Sequence, residues 1–279
     1  MSSPSVTQMR RRFRELHAGG LFVVPNPWDV GSAVRLAEHF EALATTSSGL
    51  AWSLGKQDGE VTRDELITHV AALTASVGVP VSVDAERGFA DDASGVADTV
   101  ARLAAVGAAG CSIEDYDPAT DAIDELDVAV ERVAAAVEEA GRHGMVLTAR
   151  CDNHFHGIDD FDDTLARLTA YRDAGAEVLY APGIRTAEQI LDVVALGRPV
   201  NVLARPGVPT VAELAEHGVR RVSTGGALAR AAYDTLETTT ASLRSRLVPD
   251  AARRTPRSGG DDESRRERGA RGHRGGPPG

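Results

Sequence analysis

The sequence predicts a (β/α)₈ barrel, a TIM-barrel architecture, and three observations carry that prediction. From Leu21 onward, short β-branched runs alternate with longer amphipathic stretches, eight times over about 225 residues. Glycines stand where the helical stretches would end: Gly107 after Val106, Gly141 after Ala140 and Gly175 after Ala174. Each is placed to take the left-handed conformation of a helix C-cap before the next strand. Polar and charged residues also collect at one end of the strands only, the C-terminal end, where barrels of this kind carry their sites. An open doubly wound sheet fits less well, because it uses fewer strands and no Gly-x-Gly-x-x-Gly opens a helix.

Taken in order, the predicted strands cover 21–24, 42–46, 79–83, 110–113, 145–149, 177–181, 199–203 and 220–223. Between them the 3.6-residue apolar period predicts helices such as 63–76, 94–105, 127–140 and 161–174. The expected division is a helical segment at 1–20 that closes the barrel floor, a catalytic barrel at 21–248 and a tail at 249–279. That tail is rich in Arg, Gly, Asp and Pro and nearly free of apolar residues, so it is expected to be disordered and solvated.

Composition removes several function classes. The net charge is −11, and the tail holds eight arginines against five acids, so the body carries about −14. A body that acidic repels phosphate backbones, and nucleic acid is excluded as a partner of the domain. Lys56 is the only lysine. It lies in Leu54-Gly55-Lys56-Gln57-Asp58-Gly59, which is neither a barrel-interior Schiff-base position nor a P-loop. No apolar stretch approaches the roughly 18–20 residues that cross a bilayer, and Arg10, Arg11, Arg12 and Arg14 are not followed by the apolar segment of a secretory signal. Cys111 and Cys151 fall in or beside core strands and read as packed small hydrophobes, which fits a reducing, cytoplasmic setting.

The chemistry lies just beyond the C-terminal end of each apolar run. The strand ends give Pro25-Asn26-Pro27-Trp28-Asp29, Ser47-Ser48-Gly49-Leu50, Asp84-Ala85-Glu86, Glu114-Asp115, Arg150-Cys151-Asp152, Pro182-Gly183, Asn201 and Ser223-Thr224-Gly225-Gly226. Carboxylates gathered at separate strand ends repel one another and lose solvation unless a cation sits among them. Asp84 and Glu86, two apart, would face one side of an extended strand end, with Glu114 next door. Together they would ligate Mg²⁺ or Mn²⁺, directly or through water. The bland alternative is that these acids cap helices or pair with Arg87 and Arg150. Ser47-Ser48-Gly49-Leu50 reads as a Gly-containing turn that offers N–H groups to a carboxylate. His154 and His156 lack the further ligands that a zinc site needs.

With these residues in view, the chain resembles the isocitrate lyase and phosphoenolpyruvate mutase superfamily. The carriers are Pro25-Asn26-Pro27-Trp28-Asp29, Thr46-Ser47-Ser48-Gly49-Leu50, Leu54-Gly55-x-x-Asp58-Gly59, Val83-Asp84-Ala85-Glu86-Arg87-Gly88-Phe89, Ser112-Ile113-Glu114-Asp115, Thr148-Ala149-Arg150-Cys151-Asp152 and Pro199-Val200-Asn201-Val202-Leu203. The resemblance implies a barrel of the phosphoenolpyruvate/pyruvate-domain type and a Mg²⁺-dependent enzyme. It would break or form C–C bonds, less often P–C bonds, in 2-oxo or 2-hydroxy acids. It implies that Asp84, Glu86 and Glu114 hold the metal, with Asp58 joining through water. Ser48, Gly49 and Leu50 would hold the substrate carboxylate, Arg150 would contact substrate and transition-state charge, and Asn201 would belong to the substrate pocket. It also implies a homotetramer. Lyase members of the superfamily carry a Lys-Lys/Arg-Cys-Gly-His lid after the Ile-Glu-Asp strand, whereas here Glu114-Asp115 runs into Tyr116-Asp117-Pro118-Ala119-Thr120-Asp121. No residue is thereby assigned as general acid. The expected activity is a Mg²⁺-dependent C–C lyase of small carboxylates that works through an enolate, with Arg150, Glu114 and Asp58 as its catalytic groups. The alternatives are phosphonopyruvate mutase or hydrolase chemistry, and a barrel that binds ligand without catalysis.

Overall fold

The computed structural model describes residues 4–247. The elements are α1 (Val6–Ala18), β1 (Phe22–Val24), α2 (Val30–Ala37), β2 (Leu43–Ala44), α3 (Ser47–Ser53), α4 (Arg63–Ser76) and β3 (Val81–Asp84). They continue with α5 (Ala93–Ala105), β4 (Gly110–Glu114), β5 (Tyr116–Asp117), β6 (Ala122–Ile123), α6 (Leu126–His143), β7 (Val146–Arg150) and α7 (Phe161–Asp173). The last are β8 (Val178–Tyr180), α8 (Ala187–Val194), β9 (Val200–Leu203), α9 (Val211–Glu216), β10 (Arg221–Ser223) and α10 (Ala227–Leu247).

Eight of the strands form one parallel sheet in the order β1-β10-β9-β8-β7-β4-β3-β2. Its two edges are bridged where the Ala44 N–H donates to the Pro25 carbonyl (3.2 Å) and Asn26 Nδ2 donates to the Thr45 carbonyl (2.7 Å). The sheet is thus a nearly closed barrel ringed by helices, as the sequence predicts. Strands covered on both faces read as unbroken apolar runs. Val178, Leu179 and Tyr180 are all buried, and so are Val146 to Ala149. No helix among the described residues is long and apolar enough to cross a membrane.

The floor is plugged by α1, as expected. A Ser5/Gln8 capping box starts this helix. Fully buried Phe13 then packs with Phe22, Ala109, Val146 and Val178. A side chain at Gly110 would meet the Val146 carbonyl at 2.6 Å and the Phe13 ring at 2.8 Å, so the plug fits because that strand position has no Cβ. The N-terminal arginines have a structural use here. Arg10 donates to the carbonyls of Ala104 (2.6 Å), Ala108 (3.0 Å) and His143 (2.8 Å), which lie at or just past the ends of α5 and α6.

Some local expectations need correction. Gly141 is not a C-cap: α6 runs on to His143, and Gly144 (φ 69°) caps it instead. Arg142 and His143 pair with Glu138 and Glu139 one turn back, which holds the extra turn together. Gly107 and Gly175 do take positive φ, 91° and 102°. Ser47 to Leu50 is the first turn of α3 rather than a free turn, because Thr46 leaves the strand to cap that helix. An antiparallel hairpin of β5 and β6, which the sequence did not suggest, fills the lid segment after β4. The chain divides between Asp234 and Thr235, inside the span of α10; the first unit holds the barrel, and the described part of the second is the rest of that helix. The tail expected at 249–279 lies outside the described residues.

His17 makes the floor sensitive to acid. Its Nδ1 lies 2.8 Å from the Phe13 carbonyl and its Nε2 lies 3.5 Å from Arg221 Nη1. Burial, then the charge of Arg221, pushes its pKa down to about 3. The unfolded chain, with an ordinary imidazole near pH 6.5, therefore binds a proton that the native state refuses. Stability contributed by this group is full above about pH 6.5 and falls toward pH 3, by at most about 1.4 kcal/mol per pH unit. Urea unfolding of wild type and His17→Gln between pH 7 and 4 is expected to show a shallower pH dependence in the variant, and parallel curves would exclude His17 as the source.

Candidate active site

A cavity of about 690 Å³ opens inside the barrel, lined among others by Ser47, Ser48, Asp58, Asp84, Arg150, Tyr180 and Asn201. Three of the expected residues, Asp84, Glu114 and Arg150, are the last residues of β3, β4 and β7. Parallel pairing sets Glu114 directly beside Arg150, and Arg150 beside Tyr180.

Arg150 is the hub. Its Nη1 lies 2.8 Å from Glu114 Oε2 and 3.6 Å from Asp84 Oδ1. Its Nε and Nη2 grip Asp152 in a two-pronged pair at 2.5 and 2.6 Å. Phe155 and Tyr180 flank the guanidinium, with centroids at 5.4 and 5.6 Å. Burial works against the charge of Arg150, but Asp152, Glu114 and Asp84 outweigh it and hold the pKa well above the ordinary arginine value. The bland alternative is therefore half realised: Arg150 does pair with the acids, whereas Arg87 turns away to Asp124 (2.7 Å).

A second layer holds this hub in place. Asp115 Oδ1 accepts the Asp152 N–H (2.8 Å), and Asp115 Oδ2 accepts the Tyr171 hydroxyl (2.6 Å), with Arg167 Nη1 at 3.5 Å. Tyr171 is fully buried, and Asp115 and Asp152 are nearly so. Nothing in the sequence pattern singled out Tyr171, which lies on a helix face where a core aromatic is expected. Tyr180 was missed as well, although a phenol at the end of an apolar strand is a usable signal.

The remaining acids carry unbalanced charge. Burial, then Asp84 and Asp58, pushes Glu86 up to about 8. Glu114 is also raised, by burial first and then by Asp152, Asp84 and Glu86, against the pull of Arg150. Asp58 is exposed as a residue and is raised more modestly, by desolvation first. Glu86 does not extend the strand as expected. It adopts φ +48°, a left-handed conformation rare for this residue type, and its carbonyl accepts the Glu114 N–H at 3.0 Å.

The carboxylate cradle expected at Ser48, Gly49 and Leu50 is only partly available. The Gly49 N–H goes to Thr46 Oγ1 (3.4 Å) and the Leu50 N–H to the Thr46 carbonyl (3.1 Å), and Ser47 and Ser48 border the cavity. The Ser47 N–H is held by Asp84 Oδ2 (3.1 Å). Asn201 is buried, with Nδ2 donating to Ser223 Oγ (3.0 Å) and Oδ1 accepting from Arg221 Nε (2.9 Å). His154 and His156 do not form a metal site: His156 stacks on Tyr116 at 3.5 Å, and His154 Nδ1 lies 3.3 Å from Asp159. Both cysteines are buried free thiols with raised pKa values, Cys111 to about 12, as packed hydrophobes would be.

Two facts bear on a metal. Among the described residues no three His, Cys, Asp or Glu side chains converge into a ready-made cage, because Arg150 occupies the space between Asp84 and Glu114. The donor chemistry nonetheless fits a hard dication: oxygen ligands only, and a Glu86 pushed toward its neutral form by burial first and then by Asp84 and Asp58. Mg²⁺ commonly keeps several waters and takes one or two carboxylates, and that mode needs no cage. For the supporting layer, Tyr171→Phe is expected to destabilise the fold by about 1–3 kcal/mol in urea unfolding, since Asp115 loses a buried donor; an unchanged midpoint would show that the bond carries no weight.

Comparison with known proteins agrees with this geometry. The family model for phosphoenolpyruvate phosphomutase matches residues 13–244. An oxaloacetate decarboxylase of Bradyrhizobium sp. is 31% identical over 231 residues, 76% of this chain and 79% of that protein. A Burkholderia cenocepacia crystal structure, assigned provisionally as a lyase/mutase, shares 48% identity at a TM-score of 0.83 and covers 87% of this chain and 91% of its own. The structure of 2,3-dimethylmalate lyase, a member of the PEP mutase/isocitrate lyase superfamily, shares 27% identity at a TM-score of 0.77 and covers 94% and 92% of the two chains. A match over nearly the whole barrel, with acids and an arginine at the strand ends, places the chain in the phosphoenolpyruvate phosphomutase family of the PEP mutase/isocitrate lyase superfamily.

Proposed function

We propose that the protein is a Mg²⁺- or Mn²⁺-dependent lyase that breaks a carbon–carbon bond in a small 2-oxo or 2-hydroxy carboxylate. The observation that carries this reading is the excess of carboxylate around one arginine at the barrel mouth, where burial first and then Asp84 and Asp58 push Glu86 up to about 8. Asp84 would hold the dication, with Asp58, Glu86 and Glu114 reached through water. When bound, the ion supplies Lewis-acid charge opposite an enolate that develops as the bond breaks. Every other role falls to the chain itself.

Arg150 is fixed before substrate arrives, because Asp152 grips two of its nitrogens and Asp115 fixes Asp152. A preset cation costs little reorganisation when negative charge appears beside it. Its Nη1 faces Glu114 and Asp84, so an incoming carboxylate or enolate oxygen competes with those side chains for the same hydrogen bonds. Ser48 Oγ, 3.2 Å from Thr46 Oγ1 and on the cavity wall, is placed to donate to a substrate carboxylate. Tyr180 and Phe155 cover the guanidinium and limit its contact with bulk water. A second reading, mutase or hydrolase chemistry at a P–C bond, draws on the description of the matching family model. It uses the same acids, and ³¹P NMR of a reaction with phosphonopyruvate separates the two.

Glu114→Gln and Asp84→Asn are each expected to lower kcat/KM by at least about 10²-fold, roughly 2.7 kcal/mol of transition-state stabilisation. The assay is Mg²⁺-supported release of pyruvate or glyoxylate from a panel of 2-oxo and 2-hydroxy acids. Metal-dependent turnover that survives both substitutions would remove the assignment.

A further inference from the structure

Glu114, Arg150, Tyr180, Asn201 and Arg221 are consecutive register partners across β4, β7, β8, β9 and β10. The last four all line the central cavity. Barrel strands are tilted to the barrel axis, so a row of partners descends as it passes from strand to strand. Arg150 closes β7 at the mouth, whereas Arg221 opens β10 beside His17 of the floor helix.

The lower end of this row is electrically odd. Arg221 is only 4% exposed, yet its hydrogen-bond partners are neutral. Nε donates to Asn201 Oδ1 at 2.9 Å, and Nη1 lies 3.5 Å from His17 Nε2. His17 Nδ1 is bonded to the Phe13 carbonyl, which leaves Nε2 as the acceptor of an uncharged ring. Among the described residues no carboxylate pairs with Arg221. The contrast with Arg150 and its three carboxylates is complete. Burial without an opposing anion pulls the Arg221 pKa down to about 10. A buried cation left without a counter-charge costs several kcal/mol, and proteins ordinarily offset that cost with an anion.

The geometry points to an anion subsite at the barrel floor, formed by Arg221 with Asn201 and Ser223 at its rim, that takes the second carboxylate of a dicarboxylic substrate. The inference rests on the proposed reading of the mouth as the site of a 2-oxo or 2-hydroxy acid, and it narrows that substrate to one with two acid groups. Three strand steps of about 4.8 Å separate Arg150 from Arg221 along the wall. Once both side chains have reached inward, a chain of a few carbons spans what remains. A cavity of about 690 Å³ is also well above the need of a three-carbon acid.

The test uses the full chain and succinate without added metal, so that it does not depend on catalysis. Succinate at tenfold its Kd is expected to raise the wild-type Tm by about 2–4 °C. Arg221→Met, which keeps bulk and removes charge, is expected to lose that shift measured from its own Tm, and Arg221→Lys to keep more than half of it. In calorimetric titrations with Mg²⁺, Arg221→Met is expected to bind oxalate within about twofold of wild type and 2-oxoglutarate at least tenfold more weakly. A succinate shift that persists in Arg221→Met, its absence in wild type, or equal weakening of oxalate and 2-oxoglutarate each overturns the floor site. Failure of wild type to bind oxalate with Mg²⁺ while the succinate shift remains sinks the proposed reaction and leaves the floor site standing.

Discussion

The mouth of this barrel depends on one ion cluster, in which a single nearly buried guanidinium is shared by Asp84, Glu114 and Asp152. One positive charge cannot neutralise three carboxylates and their neighbours Glu86 and Asp58. The imbalance shows as Glu86 pushed up to about 8, by burial first and then by Asp84 and Asp58. Such an arrangement is unfavourable for folding, and in the proposed function it would serve the chemistry by attracting a dication and presenting a preset cation to an incoming acid. Asp115, Tyr171 and Arg167 hold the cluster from behind, so the geometry does not depend on the substrate to assemble it.

The barrel brings these residues together. Asp84, Glu114 and Arg150 are separated by 30 and 36 positions in the chain, yet parallel register sets their strands side by side. The same register continues through Tyr180 and Asn201 to Arg221 and so connects the mouth with the floor. Local irregularities serve the cluster. The strand containing Asp84 ends there, and Ala85 and the left-handed Glu86 turn the chain so that the Glu86 carbonyl meets the Glu114 N–H. A left-handed glutamate is a strained backbone, which the surrounding packing must hold in place. Thr46 likewise commits its hydroxyl and carbonyl to capping α3, and two amides that the sequence offered to a substrate carboxylate are thereby used inside the fold.

Much of this was legible beforehand because it arises from periodicity. The eight apolar runs, the helix that closes the floor and the one-sided placement of acids all survive in the structure. The features that the sequence missed arise from contacts between distant positions or from elements too short to leave a pattern. Gly141 carries the signature of a cap, but the pairs that Arg142 and His143 make with Glu138 and Glu139 carry the helix on to Gly144. The β5–β6 hairpin joins two-residue strands, too short for any pattern to reveal. Asp115 reads as the partner of Glu114 in an acidic doublet, yet it faces Tyr171 and the Asp152 amide instead of the cavity.

The chain by itself determined the barrel, the end that bears the polar groups and the carboxylate-plus-arginine chemistry, because alternation of apolar runs and the charge of side chains are local properties. Tertiary structure alone decided which charges meet. It set Arg150 between acids from three strand ends in place of a ready-made metal cage, withdrew Arg87 to Asp124, and left Arg221 on the cavity floor without a carboxylate partner among the described residues. Pairing of that kind depends on strand register and barrel tilt, which arise only when the sheet curls round to meet itself.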